Sequence, residues 1–252
     1  MLCFASLLLA CGLFSPGAAT STPPANAPQA DLPEGRTGAT PELTLSGLYE
    51  EYAGTTYAQG GISAYLQAGG ETGRLQERLT AIDTGSGEQV MADVVIGDLT
   101  GDGCEDVLVS LALPSVPGYG DAILAAYICQ EDGYVRHNLF GRVGAGSRGE
   151  GLYEGGGARI EGVMDLNADG LPEVLFYVAS LHELYIAGWD GRGFTSLVDH
   201  VDELGNPQGY IPAREGAFEI QDLDDDGVFE VVLSDPPAVW RWDGNLFSPG
   251  NE

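Results

Sequence analysis

The chain has 252 residues, with 38 Asp and Glu against 10 basic residues and a net charge of −28. Binding a phosphate backbone takes clustered Lys and Arg, so nucleic acid and acidic membrane surfaces find no counter-charge here, and because every basic residue is Arg, Schiff-base, P-loop and kinase-type lysine chemistry is excluded. Hydrophobic residues at 44% suffice for one folded domain despite the charge, and 38 glycines without long amphipathic helical stretches favour a β-rich protein.

Met1 to Ala10 is apolar and runs into Leu8-Leu9-Ala10-Cys11. The run is too short to span a bilayer as a helix and reads as a signal segment over residues 1–11. An apolar residue three before a cysteine, with a small residue directly before it, resembles the lipobox of bacterial lipoproteins. That resemblance implies that Cys11 becomes the lipidated first residue of an exported protein, held on the extracytoplasmic face of a bacterial membrane through the lipid anchor only. Secretion with cleavage near Ala18 or Ala19 is the alternative. Six of the 14 prolines fall between Ser15 and Pro41 among Ala, Thr, Ser and Gly. Residues 12–41 therefore read as an extended tether without a core.

Apolar segments around Leu43 to Tyr52, Ile62 to Leu66 and Leu75 to Ile82 follow, without an acidic loop. Residues 42–89 are expected to form either a divergent, metal-free copy of the unit that comes next or a helix-containing cap.

From about residue 90 one loop recurs three times. Loop one carries Asp98, Thr100, Asp102, Gly103 and Asp106 at positions 1, 3, 5, 6 and 9; loop two carries Asp165, Asn167, Asp169, Gly170 and Glu173; loop three carries Asp222, Asp224, Asp226, Gly227 and Glu230. Each is followed by an apolar run. Calcium takes six to eight hard oxygen ligands, which alternate residues of a tight loop can supply, with a backbone carbonyl at position 7 (Cys104, Leu171, Val228) and glycine for the sharp turn. Without a cation the side chains repel, by roughly 4 kcal/mol for a carboxylate pair some 4 Å apart at an effective dielectric near 20. Up to three calcium ions are expected. Loop three has the most carboxylates and is expected to bind most tightly, and loop one, with Thr100, most weakly.

The strand-like flanks and the missing Glu at position 12 exclude an EF-hand. The three loops instead resemble the calcium-binding hairpins of FG-GAP and VCBS repeats, known from integrin alpha-subunit β-propellers and bacterial surface proteins. The VCBS-like branch fits better, because Phe140-Gly141 lies too far ahead of Asp165 to serve as the FG landmark. The resemblance implies an all-β fold, a β-propeller-like array of about three four-stranded blades completed by a divergent N-terminal blade or a cap. Residues 90–252 would hold the repeats, at about 90–140, 158–199 and 215–248.

Asp-Gly turns at Asp132-Gly133, Asp190-Gly191 and Asp243-Gly244 mark a hairpin late in each repeat. The predicted strands are 90–98, 106–112, 122–129 and 134–140; then 158–165, 173–179, 182–189 and 193–199; then 215–222, 230–234, 238–242 and 245–248. Trp189 and Trp242 precede their turns in parallel and are expected in the core. Three blades are fewer than a closed propeller uses, so a homo-oligomer contact or a partner protein is expected over open edges. A hairpin that sets Cys104 opposite Cys129 is centred inside Pro114 to Gly120, where turn residues cluster, and opposed residues lie within disulfide range. A Cys104–Cys129 bond is expected in an exported protein, two buried thiols being the alternative.

His137, His182 and His200 sit in no catalytic arrangement. The glycine-rich stretch Gly141 to Gly157, with Arg142, Arg148 and Arg159 in or beside it, lacks the spacing of a phosphate cradle and reads as an inter-blade loop. The sequence reading is a non-catalytic calcium-binding module for a protein or glycan, not an enzyme; the alternative is a calcium-dependent hydrolase or its accessory subunit.

Overall fold

The computed structural model describes residues 40–55, 57–85, 87–113, 121–139, 158–179, 181–202 and 204–250. All of them belong to one unit, Gly35–Glu252. The predicted signal segment with Cys11, the predicted tether up to residue 39, the predicted Pro114–Gly120 turn and the 141–157 stretch lie outside the described residues.

The segment after the tether is helical. Thr44 opens α1 (Leu45–Tyr52), its hydroxyl accepting the Gly47 N–H at 3.1 Å, the usual way of satisfying a first-turn donor. Next come α2 (Ile62–Gln67), a 3₁₀ turn at Thr72–Arg74 and α3 (Leu75–Thr80). Leu48, Tyr52, Ile62, Leu66, Leu75 and Leu79 are buried on one side of these elements. Buried Glu51 binds the helices together, accepting the N–H groups of Ile62 (2.5 Å) and Ser63 (3.1 Å) and the Ser63 hydroxyl. Such a carboxylate is tolerated inside because its oxygens are satisfied.

Thirteen strands follow among the described residues. The first antiparallel sheet runs β1 (Met91–Gly97), β2 (Asp106–Leu113), β3 (Asp121–Gln130), β4 (Gly133–Asn138) in order. The second runs β5 (Ala158–Met164), β6 (Glu173–Val178), β7 (Glu183–Trp189), β8 (Phe194–Ser196), with short β9 (Ile211–Pro212) also on β7. The third runs β10 (Phe218–Gln221), β11 (Glu230–Ser234), β12 (Pro237–Trp242), β13 (Phe247–Pro249). Three antiparallel four-stranded sheets are thus present, in up-and-down order.

Strand alternation distributes each sheet's side chains between two layers of core. On β2, Val107, Val109, Leu111 and Leu113 join the helices, while Leu108 joins the second sheet. On β6, Val174, Phe176 and Val178 face the first sheet, and Leu175 and Tyr177 face the third. This explains why both strands read as continuous apolar runs: they are buried on both faces. On β11 only Val231 and Leu233 enter the core shared with the second sheet, and Ser234 at its end is exposed. The chain is therefore layered as helices, sheet one, sheet two, sheet three.

Three sequence expectations need correction. The β2–β3 ladder pairs Val107 with Tyr127 and Leu113 with Asp121, a centre at residue 117, half a residue beyond the predicted one. Cys104 is bonded to Cys129, with Cα atoms 5.8 Å apart, but it lies in the loop before β2, and the ladder partner of Cys129 is Tyr134 on β4. The bond joins a loop to a strand, because positive φ at Gly101 and Gly103 takes the preceding residues out of extended backbone. Two of the three Asp-Gly turns also differ from two-residue hairpins. Trp189 pairs with Phe194 and Trp242 with Phe247, leaving four-residue loops in which Asp190 and Asp243 each accept two backbone N–H bonds at 2.8–2.9 Å. In the first sheet Gln130 pairs with Gly133, so the turn residues are Glu131 and Asp132. Finally, the predicted strand 193–199 ends at Ser196: Leu197 still donates its N–H to Ile186 O on β7, but its carbonyl accepts the Phe247 N–H, and Asp199 donates its N–H to Phe247 O.

Candidate metal-binding loops

Each acidic loop joins the first strand of its sheet to the second, and the three share one hydrogen-bond plan. The position-1 carboxylate (Asp98, Asp165, Asp222) accepts the position-5 N–H at 3.2, 3.1 and 3.1 Å and the position-6 N–H at 2.8, 2.9 and 3.0 Å. The position-5 carboxylate (Asp102, Asp169, Asp226) accepts the N–H of Cys104, Leu171 or Val228 at 2.8 Å in every copy. The position-9 carboxylate reaches back to the position-2 N–H: Asp106 to Leu99 (2.8 Å), Glu173 to Leu166 (2.7 Å), Glu230 to Leu223 (2.9 Å).

Backbone conformation explains why these spacings recur. Gly103, Gly170 and Gly227 have φ of 82°, 91° and 88°, a region open to glycine and costly for other residues. Position 4 is left-handed too, at Gly101 (75°), Ala168 (59°) and Asp225 (59°). The sequence reading missed that position, because only Gly101 signals it.

The predicted ligands are not all brought together. In loop three, Asp222, Asp224 and Asp226 offer carboxylate oxygens within 4.8 Å of one another. Calcium–oxygen bonds of 2.3–2.6 Å set opposite ligands about 5 Å apart, so this cluster fits such a cation. In loops one and two, position 3 is neutral: Asn167 bonds Asp169 through both ends of its amide, and the buried Thr100 Oγ1 has no hydrogen-bond partner among the described residues. Asp106, Glu173 and Glu230 are buried beneath their loops. Both Asp106 oxygens accept, the second from the Cys129 N–H at 2.7 Å, and Glu230 takes a second donor from Arg241 at 3.0 Å. Each oxygen keeps a further lone pair.

The loops are consecutive neighbours. The Leu171 side chain of loop two lies over Gly101 of loop one, and Phe229 of loop three donates its N–H to Leu166 O of loop two at 2.9 Å. Negative charge is thereby concentrated along neighbouring loops. Burial pushes Asp106 up to about 6 and Glu173 up to about 7, with the loop aspartates adding and the backbone N–H bonds opposing.

The remaining candidate groups have other roles. His137 and Phe194 both contact the Trp189 ring, at 5.1 and 5.3 Å between centroids, and Trp242 contacts Phe247 at 5.3 Å. His182 is exposed in the turn before β7. Arg159 pairs with Glu161 (2.6 Å) and Glu215 (2.8 Å). Among the described residues no helix is long and apolar enough to cross a membrane. These features define an acidic β-sheet protein with three like loops. No family model, curated protein or solved structure matches the chain.

Proposed function

We propose that this protein is a non-catalytic, calcium-binding module of VCBS-like repeats, exported and held at a bacterial membrane by a lipid on Cys11. Its three sheets serve as blades of a propeller-like array, with the helices of residues 42–89 as the cap over the first, and its surface engages a protein or glycan. The observation that carries this reading is the common hydrogen-bond plan of the three loops. One backbone arrangement recurs with different side chains at positions 4, 7 and 8, and what it preserves, beside leucine at 2 and glycine at 6, is a set of oxygens: carboxylates at 1, 5 and 9 and an oxygen side chain at 3. Filled by protein ligands, such ions act as structural elements rather than activated reagents, and three of them would take the charge from −28 to −22.

Native mass spectrometry of the full chain tests this. Retention of up to three calcium ions at millimolar supply is expected, with a melting temperature that rises on calcium addition and falls on chelation, as linkage requires. A chain that retains none refutes the metal reading. Chelator-sensitive turnover of a polysaccharide, phosphoester or peptide would replace the binding module with a hydrolase.

A further inference from the structure

Loop three already holds a cation. The guanidinium of Arg241, on β12, donates to Glu230 Oε1 at 3.0 Å and stands 3.8 Å from Asp224 Oδ2. It thus bridges positions 3 and 9, two of the four side chains counted as ligands. Glu230 is almost fully buried, with a side-chain exposure of 6%, so this contact is made at the base of the loop.

Among the described residues the other loops have no such group. Val231 pairs with Trp240, Val174 with Ala187 and Val107 with Tyr127. The register that sets Arg241 beside Glu230 therefore sets Gly188 beside Glu173 and Ile128 beside Asp106. Charge counting changes accordingly. Loop three has four carboxylates at ligand positions, where loops one and two have three each. Arg241 cancels one, so all three loops present a net −3 to an incoming ion.

We propose that Arg241 is a built-in counter-cation of loop three, competing with a divalent cation for Asp224 and Glu230. Resting on the calcium reading above, this removes the lead that carboxylate number alone gives loop three, which keeps its shape without an ion. For calcium to gain the Glu230 Oε1 lone pairs, the guanidinium must swing out. Arg241 is 47% exposed, so water is available to receive it.

The test is calcium titration of the full chain by calorimetry and native mass spectrometry. Asp222→Asn identifies the binding step that belongs to loop three. Arg241→Gln should tighten that step about fivefold or more, the scale of one partly screened ion pair, and should lower the metal-free melting temperature, with calcium restoring it. Arg241→Lys keeps the charge and should stay within about twofold of the wild type. The gain should vanish in Arg241→Gln combined with Asp222→Asn. If Arg241→Gln does not fold, Arg241→Met, which keeps the apolar stem, carries the same expectation. A loop-three step that is unchanged or weaker in the uncharged variants, with three ions still bound, overturns the inference and leaves the calcium reading intact. A wild type and variants that all fail to retain calcium overturn both.

Discussion

Loops one and three share one hydrogen-bond plan and have different anchors. In loop one the position-9 side chain, Asp106, is short, wholly buried and held by two backbone donors, and one of those donors is Cys129, which is disulfide-bonded to position 7. In loop three, Glu230 is longer and is held by one backbone donor and a half-exposed guanidinium. Among the described residues loop two has neither disulfide nor arginine, and burial raises its Glu173 to about 7. The difference separates two layers of specification. Spacing of Asp and Gly fixes the local turn, whereas the anchor that secures position 9 comes from whichever residue a neighbouring strand delivers.

The largest expected effect breaks that comparison at its covalent end. Cys104→Ser combined with Cys129→Ser opens a 25-residue closure and should cost about 3 kcal/mol. At 2–4 °C per kcal/mol for a domain of this size, the melting temperature should fall by roughly 6–12 °C in scanning calorimetry. Because Cys129 also carries the N–H that holds Asp106, calcium binding should weaken at loop one while the loop-three step is unaffected. Equal weakening at all three loops would show that the disulfide acts on the whole stack instead.

A smaller effect comes from pH. Folded Asp106 and Glu173 titrate near 6 and 7, above the ordinary carboxyl values of about 4. The folded state then binds more protons than the unfolded state between about pH 4 and 7, so their contribution to stability is complete below pH 4 and is lost as pH rises through 6 and 7. In chelator the melting temperature should decline by several degrees from pH 5 to 8. Glu173→Gln should remove the upper part of that slope, and calcium, which favours the ionised form, should flatten it. Asp190, Asp202 and Asp243, lowered by the hydrogen bonds they accept, act in the opposite sense only below the ordinary carboxyl range. They do not blur the test.

Strand positions other than β9 were legible because the strands are short, mostly bordered by Gly or Asp, and made of apolar residues that the layered core requires on one face or both. The β11 limits, 230–234, are those the sequence predicts. The spacing of the loops was legible for the same reason: Gly103, Gly170 and Gly227 punctuate them at a fixed offset. Three things were not. The half-residue shift in the β2–β3 ladder depends on where extended backbone resumes after two left-handed residues. The helical character of residues 42–89 depends on Glu51 reaching α2, a contact eleven residues away in sequence. The place of Arg241 requires the β11–β12 register, since nothing about an arginine before Trp242 marks it as the neighbour of Glu230.

The finest test compares single methyl groups. Gly101 and Gly103 both have positive φ, and alanine at either should cost about 1 kcal/mol from the left-handed backbone alone. A methyl at Gly103 meets open space, whereas one at Gly101 collides with Leu171 of loop two. Gly101→Ala should therefore be the more destabilising of the two, and the excess should disappear when Leu171 is also reduced to alanine. Ala168→Gly is the mirror experiment, because loop two already carries the methyl that loop one excludes at position 4. Relief of its left-handed strain should stabilise the protein by up to about 1 kcal/mol, less whatever the extra freedom of glycine costs the folded chain. If the two glycine-to-alanine changes prove equal, then loops one and two do not bear on each other, and an ion bound at one would have no route through that contact to the next.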